Sequence, residues 1–478
     1  MTSPSGSAPV PIALHVSATT NPPPSLVRRL GTWDTASITA GTMLGSSIFI
    51  GAALVPRALP HAGLVLAIWV AGGLLTMAGA LTYAELGAMF PRAGGQYHFL
   101  KEAFGPFAGF MFGWASFAVA QSAANAYVGV AFGEYLGAFV PWVARTTVVW
   151  SVPIGSWHWE VNAVQLTGAA SIALFTGINC LGVREGARTQ AALTVLTVAS
   201  VLLLCVAGFA SPAGQWPEWT APLPAGNLAA AVGIALVGVF GAYDGWYQAT
   251  LSAGEMRDPE RNLPRGIVAG VLAIMVLYFV VNLTYLRALP LAELGASNRI
   301  GEAAATALLG PIGGRLMALA VTIALLGCLS SGILTASRIY LPMAEDGVFF
   351  RALARIHPVR RVPTASLLAQ GGWSILLALI GSYEQLLGYA VFVLFLLHFL
   401  TGVAHFSLRR SRPDAVRTYR TWGFPWVPGL FVLTAFGFVV NALVTSPRDS
   451  LIGVGILAMG APAYWWWRRA ARARATAG

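Results

Sequence analysis

Charge is what this sequence has least of. Asp, Glu, Lys and Arg make up 10% of its 478 residues, against roughly 25% in soluble chains. That leaves too little polar surface to coat a soluble body of this size. Lysine is scarcest of all: among the 29 basic residues Lys101 is the one lysine. The net charge of +11 raises nucleic acid as a partner, but the arginines stand between apolar runs rather than in a patch. Basic loops flanking membrane segments account for them, so no nucleic acid is expected. Cysteine is as sparse. Cys180, Cys205 and Cys328 are odd in number, lack ligand spacing and fall in or beside apolar runs, which excludes a disulfide framework and a metal site and leaves buried thiols. His98, His398 and His405 have no partner at metal-ligand or triad spacing. No nucleophile–base pair or cofactor motif is found, so neither an enzyme nor a cofactor is expected. A charged n-region with an apolar h-region and cleavage site is also missing. Residues 1–30, rich in Ser, Pro and Thr with Pro22–Pro24 in a row, read as a disordered cytoplasmic tail ending at Arg28 and Arg29.

What is present is apolar length: 56% of the residues are hydrophobic. Twelve segments of membrane-spanning size stand between charged or proline-rich gaps, at approximately 33–59, 63–90, 104–137, 161–181, 189–210, 228–256, 267–289, 312–341, 363–380, 383–408, 424–443 and 451–467. With the N-terminus in the cytoplasm, this count puts 23 of the 29 basic residues inside and six outside. Adding or removing one helix would scramble that bias, so it predicts twelve spans with both termini cytoplasmic. The class expected is an all-α integral protein of the cytoplasmic membrane.

Two of the twelve segments are built to fail as continuous helices. The first, from Gly31 to Val55, carries Gly41, Gly45, Ser46, Ser47 and Gly51 in its middle, and a glycine inside a helix costs up to about 1 kcal/mol relative to alanine. The sixth, 228–256, would make about 43 Å of helix for a hydrocarbon core of about 30 Å; its middle reads Gly238-Val-Phe-Gly-Ala-Tyr-Asp-Gly-Trp246. Non-helical backbone at membrane depth survives only where protein packs it or a cavity solvates it. Interruptions at corresponding places five segments apart point to an inverted-repeat transporter with its site at the repeat interface. The divisions that follow are 31–226 (helices 1–5), 227–423 (helices 6–10), two accessory helices over 424–470, and a basic tail at 471–478.

A broken helix offers N–H groups and partial positive charge where its second half begins, and carbonyls and partial negative charge where its first half ends. An amino acid zwitterion presents the complement. Its carboxylate is expected at Gly45, Ser46 and Ser47 with Thr42 adding a hydroxyl. Its ammonium is expected at the carbonyls near Val239–Ala242, with Phe240, Gly241, Ala242, Tyr243 and Asp244 completing the substrate site. The alternative is that small residues merely allow tight helix packing. Asp244 is the deepest ionisable residue. It either meets a substrate amine, a hydroxyl or a proton, or caps N–H groups freed by the break. Gln121, Ser122 and Asn125 in the third segment either line the cavity or bond between helices. Glu85 and Asp34 read as members of a cytoplasmic gate network with Arg28, Arg29 or Arg338. Glu255 and the charges to Arg265 read as a structural hinge with lipid-facing charge.

Several stretches resemble the amino acid–polyamine–organocation permeases, in particular their L-type amino acid transporter branch: GTMLGSSIF (Gly41–Phe49), TYAELGAMFPRAGGQYHFLKEAFGPFAGFMFGW (Thr82–Trp114), YDGW (Tyr243–Trp246), GEMRDPERNLPRGI (Gly254–Ile267) and SRIYLPMAEDG (Ser337–Gly347). The resemblance runs from Gly31 to the last helix. It implies the five-plus-five inverted repeat of the leucine-transporter-like fold, with two extra helices and helices 1 and 6 broken. It also implies secondary transport of an amino acid or amine by alternating access, often as exchange. Departures mark the side-chain pocket. Ser47 replaces the last glycine of the family's G-S-G. Gly241 stands where the branch has a gating aromatic, with Phe240 one step earlier and about 100° away. Tyr247 stands where Asn is common. Thr197 occupies the place of a lysine thought to substitute for sodium; with Ser330 or Ser331 it would form an oxygen-lined coupling-ion site, unless that site is vacant. The loop 138–160 lacks the cysteine that animal members use to bind a partner glycoprotein, so no disulfide-linked heavy chain is expected. The partners expected are the bilayer and a small-molecule substrate, with the oligomeric state open. A polyamine or organic-cation carrier and a non-transporting sensor are the alternatives.

Overall fold

A computed structural model describes residues 26–475, apart from 50, 155–156, 221–222, 224–226, 298 and 446. Helices dominate it: α1 (Thr32–Met43), α2 (Leu54–Ala58), α3 (Ala62–Met89), α4 (Gln96–Phe104), α5 (Pro106–Ala115), α6 (Gln121–Leu136), α7 (Ala163–Leu181), α8 (Val183–Ala210), α9 (Leu228–Tyr243), α10 (Pro259–Ala288), α11 (Leu291–Ala296), α12 (Ile300–Ala336), α13 (Tyr340–Glu345), α14 (Thr364–Ile380), α15 (Tyr383–Ser411), α16 (Trp426–Thr445) and α17 (Pro447–Ala475). Among the described residues, eight helices are long and apolar enough to cross a membrane. Their starts follow local chemistry. Asn162 and Gln165 open α7 as a reciprocal capping box, with both bonds at 3.0 Å, and Ser382 with Gln385 does the same for α15. Asn227 accepts the Ala230 N–H at the start of α9.

Both expected interruptions are present. α1 stops at Met43, the Gly45 N–H turns back to the Met43 carbonyl at 2.8 Å, and 3₁₀ turns at Ser46–Ile48 and Gly51–Ala53 lead into α2. α9 stops at Tyr243; Asp244 is extended and Gly245 is left-handed at φ +103°. The chain then runs as a 3₁₀ helix from Trp246 to Glu255. Runs of that length are uncommon, because 3₁₀ hydrogen bonds are strained, and mid-helix they mark hinges. α10 lies at the centre, packed against α1 and α3, while α8 packs on α12 and α6 on α7.

Four expectations change. The all-α description needs one addition: Val148–Ile154 and Trp157–Asn162 pair as an antiparallel hairpin in the loop before α7. Its β-branched and aromatic residues outweigh the helical content of its neighbours. The tail is ordered from residue 26. Arg29 and Leu30 both donate their N–H to the Glu255 carbonyl, at 2.7 and 2.9 Å, and the Arg257 N–H returns to Leu30 at 2.8 Å; residues 1–25 lie outside the described residues. The lipid-facing reading of Glu255 fails. Its carboxylate is fully buried against the equally buried Arg338 guanidinium, at 3.0 and 3.2 Å. The gate network has other partners too. Asp34 caps the Gly31 N–H at 2.8 Å, and Glu85 is held by Arg409 at 2.5 and 2.9 Å, Arg417 at 3.2 Å, His405 at 3.1 Å and the Thr421 N–H at 2.7 Å.

Removing one partner of a buried ion pair strands the other, at a cost of about 3–5 kcal/mol. Glu255→Gln should therefore lower the thermal unfolding temperature of the purified protein sharply. The double variant Glu255→Leu/Arg338→Met should recover most of the loss. An undiminished unfolding temperature in the single variant would contradict the buried pairing.

Candidate functional site

The two breaks meet. The Thr42 hydroxyl reaches the Gly245 carbonyl at 3.0 Å, while also lying 2.8 Å from the Ile38 carbonyl. Tyr278, buried in α10, points its hydroxyl between the two helix ends, 2.7 Å from the Met43 carbonyl and 3.0 Å from that of Ala242. One proton thus serves the last turns of both α1 and α9. Gly245 is needed where it is: besides its positive φ, a Cβ there would lie 2.7 Å from the Thr42 carbonyl oxygen.

Beside the crossing is a cavity of about 510 Å³, whose wall includes Thr42, Gly45, Ser47, Asn125, Gly241, Asp244 and Tyr247. Seven of the residues singled out from the sequence come together there. The backbone of Ser46 lies in the adjoining turn; its side chain is outside the described residues. The Asn125 amide nitrogen is buried without a hydrogen-bond partner, a donor left for a ligand. At Gly241 the wall is bare backbone: a Cβ there would meet only Ser47 Oγ, at 3.9 Å.

Other candidates fall elsewhere. Phe240 and Tyr243 line a second, aromatic cavity of about 350 Å³ with Trp246, Phe395 and Phe431, and Asp244 belongs to both cavities. The Ala242 carbonyl is already taken by Tyr278. Gln121 holds the Tyr247 hydroxyl at 2.8 Å, and the Ser122 hydroxyl is buried without a partner. On the side of α1 facing α8 and α12, the hydroxyl of Ser331 faces the Ile38 carbonyl at 3.5 Å and that of Thr194 faces Ser37 at 3.4 Å. The Thr197 and Ser330 hydroxyls are buried without partners, and Thr194, one turn before Thr197, is the threonine of α8 whose hydroxyl faces an α1 carbonyl.

Sequence reasoning missed Cys328, Gly332 and Gln248 in the first cavity wall, Tyr278 at the crossing, and His398. The His398 Nε2 lies 3.4 Å from Asp244 Oδ1, and its ring stacks on Trp246 at 5.5 Å. Polarity within an apolar helix was the only signal either residue carried.

A model of the amino acid permease family matches residues 30–465. The chain belongs to that family. This bears out the resemblance to the L-type branch of the amino acid–polyamine–organocation permeases. Three relatives span nearly the whole chain. The serine/threonine exchanger SteT of Bacillus subtilis is 26% identical over 92% of this chain and 97% of its own. The b(0,+)-type amino acid transporter 1 of Mus musculus is 28% identical, covering 88% and 84%. The large neutral amino acids transporter small subunit 2 of Homo sapiens is 29% identical, covering 92% and 80%.

Gly245→Ala and Tyr278→Phe test the crossing, with Gly45→Ala as the comparison. Gly245→Ala forces a side chain into left-handed backbone, at about 1–2 kcal/mol, and against Thr42. It should lower both the unfolding temperature and transport, whereas Gly45→Ala, with Cys328 Sγ 3.5 Å away, should be tolerated by the fold. Tyr278→Phe takes the hydroxyl donor from the Ala242 carbonyl and leaves the Met43 carbonyl only the Gly45 N–H; it should cost about 1–3 kcal/mol, read by thermal unfolding in detergent. Wild-type stability in this variant would show that the shared hydroxyl holds nothing.

Proposed function

We propose that this amino acid permease is a secondary carrier of neutral α-amino acids in the cell membrane, working by alternating access around the crossed breaks, with exchange as its basic mode. One observation carries the reading: both helix interruptions of a permease-family chain open on a single cavity that holds bare backbone, hydroxyls and one carboxylate. The substrate carboxylate goes to the backbone and hydroxyl at Gly45–Ser47, the ammonium to the last turn of α9, and the side chain toward Gly241 and the free amide of Asn125. A neutral substrate agrees with the substrates for which SteT and the large neutral amino acid transporter are named.

Twelve spans in a five-plus-five inverted repeat, with both termini cytoplasmic, belong to the same proposal. Reciprocal packing supports the repeat. α8 lies on α12 as α15 lies on α6, α1 lies on α10 as α9 lies on α3, and the equivalent pairs α3–α10 and α7–α14 pack on each other. The arginine distribution supports the orientation.

Purified protein in liposomes loaded with mixed amino acids should exchange a labelled neutral amino acid. Ser47→Trp, which fills the carboxylate end of the cavity, should reduce exchange to background while the protein stays folded. Full exchange by this variant would refute the placement, and no exchange by the unaltered protein would refute the function.

A further inference from the structure

Five arginines fall between the last turn of α15 and the start of α16: Arg409, Arg410, Arg412, Arg417 and Arg420. Three of them are engaged within the protein. Arg409 and Arg417 hold the buried Glu85 carboxylate of α3, and Arg412 reaches Glu102 of α4 at 2.6 Å. Arg417 also folds the loop, donating to the carbonyls of Leu408, Arg412, Pro413 and Ala415 at 2.9–3.2 Å. The chain thereby returns to Glu85, which accepts the Thr421 N–H at 2.7 Å beside the Arg409 guanidinium. Arg410 and Arg420, the sequence neighbours of those two residues, flank that junction. Both are exposed, and neither has a hydrogen bond or ion pair among the described residues. Set against Glu85, Glu102 and Asp414, the five arginines leave two positive charges.

Beside the two free guanidiniums the surface is apolar. Trp422 is 77% exposed, and Trp426, the first residue of α16, is 83% exposed. Phe424 between them is fixed under the Arg409 guanidinium, 4.0 Å from its ring centre. From Trp426 one face of α16 runs on at helical spacing through Leu430, Leu433, Gly437, Val440 and Val444, all exposed. At 1.5 Å per residue this stripe is about 27 Å long, close to the roughly 30 Å of a hydrocarbon core. A Cβ on Gly437 would meet nothing within 4 Å, which leaves a shallow recess at mid-span. Charge and shape together choose the occupant. A soluble anion suits the arginines and leaves the stripe uncovered. A zwitterionic lipid covers the stripe but brings its own cation to the arginines. An anionic phospholipid answers both: its phosphate oxygens accept from guanidinium N–H groups, the indoles sit at headgroup level, and the acyl chains lie along α16.

We infer that the loop between α15 and α16 binds one anionic phospholipid, its phosphate held by Arg410 and Arg420 beside Trp422 and Trp426 and its acyl chains on the exposed face of α16. The lipid is fastened one residue away from both Arg409 and Thr421, so an occupied site braces the end of α15 against α3. The proposal needs only that the chain spans a bilayer and is independent of what it carries. Native mass spectrometry of the full-length protein in detergent counts bound lipids during titration with phosphatidylglycerol or phosphatidylcholine, with glycerophosphate as the soluble competitor. One phosphatidylglycerol should bind ahead of any phosphatidylcholine. An arginine near an anionic headgroup adds about fivefold to affinity. Arg410→Gln/Arg420→Gln should therefore weaken that first phosphatidylglycerol roughly 30-fold and leave phosphatidylcholine binding unchanged, which also reports that the variant is folded. Arg468→Gln/Arg469→Gln, near the C-terminal end of α17, is the comparison for diffuse basic attraction and should keep the first phosphatidylglycerol. Equal affinity for the two lipids, undiminished phosphatidylglycerol binding in the first variant, or an equal loss in the second would each overturn the site. Displacement of the lipid by glycerophosphate would reveal a soluble-anion site and overturn the lipid as its occupant.

Discussion

A membrane interior has no water to satisfy backbone groups set free when a helix is broken, and this fold meets that constraint by crossing two breaks so that each completes the other. The end of α1 supplies a hydroxyl, from Thr42, to the carbonyl of Gly245 in the other break. Tyr278 lends one proton to the last turns of both helices. Neither interruption would be stable alone. Together they leave Gly45, Gly241 and Gly245 against the cavity.

The same constraint sorts the buried charges. Glu255 is matched by Arg338, and Glu85 has two guanidiniums, an imidazole and a backbone N–H around it. Both carboxylates are surrounded by donors and hold elements together. Asp244 is the contrast: among the described residues its side-chain partner is the His398 imidazole at 3.4 Å, and it is 22% exposed at the junction of two cavities. Among the described residues Asp244 has no guanidinium or ammonium partner, and its carboxylate faces the two cavities.

How much of this was legible follows from the range of each signal. The breaks could be read because glycines cluster inside segments too long for continuous helices, and the helix caps because Asn162–Gln165 and Ser382–Gln385 act over three residues. Thr42, Gly45, Ser47, Gly241 and Asp244 meet in one cavity because they flank those breaks. What could not be read depends on partners far apart in the chain. Asp244 and His398 are separated by 154 positions, and Tyr278 looks like any tyrosine in an apolar helix until two carbonyls are placed against it. Glu255 was misread for the same reason: in a run of charges nothing local distinguishes the one that turns inward to Arg338. The contact of Thr194 with α1 was not read because a position one turn from Thr197 is invisible to spacing alone.

The connections between the halves of the two broken helices suggest how such a site changes access. α1 is tied to the segment after Gly245 at both ends, through Thr42 at the crossing and through the bridge of Leu30 to Met256 beyond it. α9 packs instead on the far half of the first helix, closely enough that a Cβ on Gly238 would lie 2.9 Å from the Gly51 carbonyl. The four half-helices therefore make two bodies, each built from one half of each broken helix, which meet at the crossing. Any motion that separates these bodies must bend Gly45 and Gly245 and pull on the hydrogen bonds of Tyr278. Gly45 and Gly245 also line the cavity, so a motion at the crossing reshapes the proposed substrate site directly.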